Sequence, residues 1–160
     1  MISKEQMANW DELNNVTLSF LKMIPSQNYH QKPFPSRFRS FAWEFACLYT
    51  TREMYLVGLK EEKIDETITT TSEKEAELWD KKTMKKKLEE INLQLKKILN
   101  EKECIVFWGK KTPTSLVLSW LCQHEQLHFG KLILYCANKE IAQPTSLMKM
   151  WGKESFQKKL

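Results

Sequence analysis

From Met84 to Ile98 the apolar residues Met84, Leu88, Ile91, Leu95 and Ile98 fall at alternating steps of four and three, and what lies between them is almost all charged or polar. Such a narrow stripe lies flat only against other helices, so it commits this part of the chain to a helical bundle. Asp80 stands before the stripe as N-cap, with Trp79 and Met84 spaced as a hydrophobic staple, and Asn100 closes it; Ser72 with Glu75 is a weaker start. The same period recurs from Lys4 to Ile24 in Met7, Trp10, Leu13, Val16, Phe20 and Leu21, and Pro25 stops that helix. From Ser40 to Leu59 the chain is apolar on nearly every side, with Phe41, Phe45, Leu48, Leu56 and Leu59 on one stripe and Trp43 and Met54 almost opposite, the mark of a central or interface helix. The fourth long pattern opens with Thr112 as N-cap and Pro113 in the first helical position and runs to about Asn138, after which Pro144 starts a short helix holding Leu147, Met150 and Trp151.

The connections read differently. Residues Pro25 to Arg39, with Pro25, Pro33 and Pro35, form an irregular crossing expected to wrap one end of the bundle, and Lys60 to Ser72, charged and then threonine-rich, reads as an exposed, mobile loop. Cys104 to Trp108, closed by Gly109, is a short apolar run that suits an extended piece. Only 4 glycines and 5 prolines punctuate the chain, too few for a sandwich of many short strands. The expected architecture is therefore all-α: a four-helix bundle with long crossover connections and a short C-terminal helix, in one domain spanning 1–160.

Charge and cysteines narrow the function. The net charge of +5 is mild, and the lysines between Lys81 and Lys97 suit the solvated face of a helix; no aromatic–basic interleaving or zinc-finger spacing points to nucleic acid. No apolar run approaches a membrane span and the first residues are polar, so neither membrane nor export is expected. Cys47, Cys104, Cys122 and Cys136 form no CxxC pair and read as reduced thiols of a cytoplasmic protein.

His124 and His128, four apart, project from one face of the fourth helix, near enough to share an ion; two histidines buried among core side chains would give the same spacing. Val117, Leu121, Lys131 and Tyr135 share that face, which makes it the inward one. A third ligand has to come from another helix.

The segment His124-Glu-Gln-Leu-His128-Phe-Gly-Lys-Leu132 resembles the helix-four signature of the DinB/YfiT-like superfamily, His-Glu-x-x-His-x-Gly-x-Leu. Ser40-Phe-Ala-Trp-Glu-Phe-Ala-Cys47 is similar to the family's helix-two motif, and Pro144-Thr-Ser-Leu-Met-Lys-Met-Trp-Gly152 to its Pro-x-Ser-plus-Trp ending. The resemblance implies a four-helix bundle in which three histidines, one on helix two and two on helix four, hold a divalent metal such as zinc or nickel with open positions left for water or substrate. Here Cys47 stands where the helix-two histidine belongs. Three readings of it stay open: a thiolate ligand completing a Cys47, His124 and His128 set, an inert buried thiol, and a reactive nucleophile. Glu44 is a substitute ligand, unless it faces solvent or pairs with a base such as Arg52; His30 could fold over the site from its loop. Lys131 would repel a cation or attract an anionic substrate, or simply snorkel at the rim, and Tyr135 is either a water-positioning hydroxyl or a core ring.

A second apolar stripe on helix four, Cys122, Phe129, Ile133 and Cys136, needs a partner, either the C-terminal helix or a second subunit, and the family resemblance implies homodimers. Two functions follow. One is a metal-dependent enzyme acting on a small-molecule substrate, an S-transferase using a low-molecular-weight thiol or a hydrolase using water. The other is a metal-free binding or interaction protein whose site was lost when cysteine replaced histidine.

Overall fold

The computed structural model describes residues 2–35 and 37–152. In chain order the elements are α1 (Lys4–Met23), α2 (Ser26–Tyr29), α3 (Phe41–Glu61), β1 (Lys63–Ile64), α4 (Glu73–Ala76), α5 (Lys81–Glu101), β2 (Cys104–Phe107), β3 (Lys110–Pro113), α6 (Thr114–Asn138) and α7 (Thr145–Trp151). The four long helices form the bundle: α3 lies against α5 and α6, and α1 lies against the same two. Consequently α1 and α3 sit diagonally, as do α5 and α6; the long connection from α1 to α3 is a crossover, whereas the 60–72 connection joins the adjacent α3 and α5, and the second crossover runs from α5 to α6 through β2 and β3.

The helix starts follow from their caps. Ser3 accepts from the Gln6 amide in a capping box, Ser40 from the Trp43 amide, Ser72 from the Glu75 amide and Asp80 from the Thr83 amide. Trp10, Leu13 and Phe20 of α1, Phe45, Leu48 and Leu59 of α3, Met84, Leu88 and Leu95 of α5, and Leu121, Leu132 and Tyr135 of α6 meet in one buried cluster. On α5 the seam departs from its predicted course at the last step, because Leu99 is buried and Ile98 only half-buried.

Two connections and one helix start differ from expectation. The segment 60–72 is not all exposed loop: Lys63–Ile64 pairs in parallel with Val106–Phe107, and Ile64 is buried against α3. The run Cys104–Phe107 is a strand, as its apolar composition suggests, but it pairs back on Lys110–Pro113 through a turn in which Trp108 and Gly109 both have positive φ, 47° and 76°. That pairing draws Thr112 into β3 opposite Ile105, so α6 begins one residue late, with Pro113 rather than Thr112 as its N-cap.

The buried Ile64 explains a glycine in the middle of a helix. A Cβ on Gly58 would stand 2.0 Å from Ile64 Cγ1 and 3.1 Å from the Lys63 carbonyl oxygen. Alanine favours a helix interior over glycine by about 1 kcal/mol, yet this clash outweighs it. Gly58→Ala is expected to lower stability to urea by about 1–3 kcal/mol, and adding Ile64→Ala should couple to it, the pair losing less than the sum of the singles.

The second apolar stripe of α6 is covered inside the chain. Cys122, Phe129 and Cys136 are buried, Phe129 meets the Phe20 ring of α1 at 5.7 Å between centroids, and Phe129, Ile133, Leu147 and Trp151 line one small cleft between α6 and α7. Among the described residues no helix is long and apolar enough to cross a membrane.

Candidate metal centre

Positions 44, 47 and 51 recur at helical spacing along α3 and 124, 128, 131 and 135 along α6, and the two helices pack with these faces together. The contact brings Cys47, His124 and His128 into one cluster whose ligand atoms all lie within 4.8 Å of one another. His124 Nε2 is 3.2 Å from His128 Nε2 and 3.7 Å from Cys47 Sγ. Thr51 Oγ1 stands 3.4 Å from the same His124 nitrogen.

Glu44 settles the orientation of His128. Its carboxylate is 1% exposed, and Oε2 lies 2.6 Å from His128 Nδ1 while Oε1 accepts from the Tyr135 hydroxyl at 2.8 Å. Burial alone would raise the Glu44 pKa, but the hydrogen bonds from His128 and Tyr135 outweigh it and hold the group below the usual range, so it is ionised. An ionised carboxylate on Nδ1 favours a proton on that nitrogen of the ring and turns Nε2 toward Cys47 and His124. Glu44 therefore orients His128, and Arg52 pairs with Glu125 instead.

The other candidates take distinct places. Lys131 rests 3.4 Å from Glu44 Oε2 and over the Trp43 ring, so its charge is spent on Glu44. Tyr135 is a core ring whose hydroxyl is satisfied by Glu44, boxed edge-on by Phe34, Phe38 and Phe41; the first two bring the 25–40 crossover down on this end of the site. His30 is exposed, its ring against Tyr29, and takes no part in the cluster.

Burial, then the neighbouring His128, pushes the His124 pKa down to about 4, so its imidazole is neutral at ordinary pH, the form that ligates. Burial, reinforced by the negative charges of Glu73 and Glu44, pushes the Cys47 thiol up to about 11. On its own this is a protonated thiol and a poor nucleophile; a cation at the cluster is what would make it a thiolate.

Sequence reasoning overlooked the partner of His124 in the chain. Glu125 is buried and faces away from the cluster, accepting from Arg52 Nε at 2.8 Å through Oε1 and from Thr17 Oγ1 at 2.5 Å through Oε2. Arg52 Nη1 donates to Asn14 at 2.8 Å and its guanidinium stacks over Trp10. With both carboxylate oxygens occupied, Glu125 is no general base, although His-Glu-x-x-His is the spacing in which a zinc protease uses one. The available signal was that Arg52 and Glu125 stand in otherwise apolar helices, where a charge needs a partner.

No protein-family model matches the sequence, and no curated protein does. The structure is similar to the crystal structure of a DinB-like protein from Bacillus cereus, with a TM-score of 0.66 over 87% of this chain and 93% of that one. The chain has a DinB-like fold. Sequence identity to that neighbour is 16%, a level at which the likeness speaks for the fold. Within the DinB-like fold, α3 and α6 present Cys47, His124 and His128 to one another, the residues that the helix-two and helix-four motifs single out.

Proposed function

We propose that Cys47, His124 and His128 hold a divalent ion, zinc or nickel, and that the protein is a metal-dependent enzyme acting on a small molecule, with a low-molecular-weight thiol or water as nucleophile. The observation that carries this is the spacing of the donors. Two nitrogens each about 2.0–2.1 Å from a tetrahedral ion stand about 3.3 Å apart, and a sulfur at about 2.3 Å stands about 3.6 Å from either nitrogen. Two of the three separations, 3.2 Å and 3.7 Å, are close to those edges, and all three donors lie within 4.8 Å of one another. The Glu44 carboxylate behind His128 is the outer partner that metal-bound histidines ordinarily have.

Three protein ligands leave a fourth position open, as in catalytic rather than structural zinc sites. An ion there would supply acidity, lowering the pKa of a bound thiol or water so that it attacks at neutral pH. The chain's own groups bind, orient and shield: Glu44 fixes His128, and Phe34 and Phe38 close one end. The cytoplasm is the compartment proposed, supported by four free cysteines.

The test is thiol consumption with an electrophile such as monochlorobimane. Zinc- or nickel-loaded protein should accelerate it, and the metal-free protein, Cys47→Ala and His124→Ala should not. Equal rates with and without metal would overturn the enzyme reading in favour of a metal-free binding protein.

A second copy of the chain is the proposed partner. Leu116, Trp120, Gln123, Leu127, Gly130 and Leu134 follow one another along α6 at steps of four and three with no charge among them, and Leu116, Leu127 and Leu134 are 43%, 61% and 53% exposed. An uncharged seam of this period matches its own twofold mate, and open space at Gly130 permits close approach. Leu127→Glu with Leu134→Glu should convert a dimer into a monomer by sedimentation equilibrium; a monomeric wild type would contradict the seam.

A further inference from the structure

Next to the cluster of donors, though lined by none of the three, an open cavity of about 350 Å³ lies between α3 and residues 68–73. Two contacts tie the two together: Thr51 lines the cavity and places Oγ1 3.4 Å from His124 Nε2, and Thr50, also in the wall, donates to the Cys47 carbonyl oxygen at 3.4 Å. The volume lies at the low end of the range for small-molecule sites, suited to a ligand of about a dozen non-hydrogen atoms.

Its wall has an unusual chemistry. Thr50 and Thr51 on α3 and the run 69–72 opposite supply six hydroxyl-bearing residues, Glu73 supplies a carboxylate, and among the described residues no lysine, arginine or histidine lines the cavity. Hydroxyls both donate and accept, so they suit a ligand made of hydroxyl and amine groups. A carboxylate with no basic neighbour in the wall repels anions and draws ammonium groups.

The wall is also fixed. The Thr71 amide donates to Glu53 Oε2 at 2.7 Å, and Glu53 Oε1 accepts from Tyr49 on the same helix at 2.9 Å. Ser72 caps α4, and Thr50 Oγ1 lies 3.4 Å from Glu73 Oε1, linking the two sides. The threonine run, a loop by composition, is thus pinned over α3.

We propose that this cavity is a substrate chamber for a neutral or amine-bearing polyhydroxy compound, selected by the hydroxyl wall and Glu73 against anions. It deepens the metal-enzyme reading above and rests on it for the chemistry, though the recognition itself uses only Thr50, Thr51, Glu73 and the 69–72 run.

An isosteric series tests it: sorbitol (neutral), glucamine (cationic) and gluconate (anionic), titrated by calorimetry into the full chain with and without zinc. Glucamine should bind best and gluconate worst. Glu73→Gln, an isosteric change at an exposed position, should cut the glucamine-over-sorbitol preference by about three- to tenfold, and Thr51→Val should weaken sorbitol and glucamine together. Gluconate binding as tightly as glucamine, an unchanged preference in Glu73→Gln, or no binding of any member at tens of millimolar would overturn the chamber. Zinc stoichiometry in the same samples separates the two claims: zinc bound with no polyol selectivity defeats the chamber alone, and selectivity without zinc defeats the metal centre alone.

Discussion

Glu125→Ala is expected to lower the stability of the protein by about 3–5 kcal/mol, the loss that follows when one member of a buried ion pair is removed. The Arg52 and Glu125 side chains are 0% and 1% exposed, so without Glu125 the guanidinium is left with Asn14 and the face of Trp10 in a space closed to water. Among the described residues Arg52 Nη2 has no hydrogen-bond partner. The double variant Arg52→Met, Glu125→Leu should recover most of the loss, because it removes both charges and keeps the volume. Urea midpoints measure both. A loss under about 1 kcal/mol in Glu125→Ala, the scale of an exposed pair, would contradict the pairing.

The same pair bears on the site. Arg52 follows Thr51 and Glu125 follows His124, so the ion pair joins α3 to α6 at the level where the donors meet.

Glu44→Gln is expected to weaken metal binding about 10–100-fold with all three ligands in place, the usual cost of losing an outer carboxylate. The amide keeps the shape but loses the charge that fixes the His128 tautomer and balances Lys131. Competition with a chromogenic chelator gives the affinity. His128→Ala should lose binding altogether, and that contrast decides the role of Glu44. Equal loss in the two variants would make Glu44 a ligand itself, and no loss would mean that it does not orient the ring.

How much of this was legible in the sequence follows the reach of each signal. The long helices were readable because period and caps are local: Asp80 caps α5, Ser72 starts a short helix before it, and Pro25 ends α1. The helix-four motif and the aligned Cys47 named the three donors, and the fold brings them together. The role of Glu44 was not readable, since Arg52 lies further along the same helix while His128 comes from α6, and only packing puts the carboxylate on His128. Thr112 misled for a related reason: a threonine before a proline is a good N-cap until a strand elsewhere, here Cys104–Phe107, claims it. The stripe Cys122, Phe129, Ile133 and Cys136 needed a partner, as its period required, but whether that partner was α7 or another chain depended on where the chain turned after Asn138.

Metal content by mass spectrometry, on protein purified without an affinity tag, tests the central claim most directly when wild type is compared with folded Cys47→Ala and His124→Ala. A Cys47, His124 and His128 centre predicts near-stoichiometric zinc or nickel in the wild type and its loss in both variants. A wild type that takes up no divalent ion even after exposure to one, or a Cys47→Ala protein that keeps it, would contradict that centre.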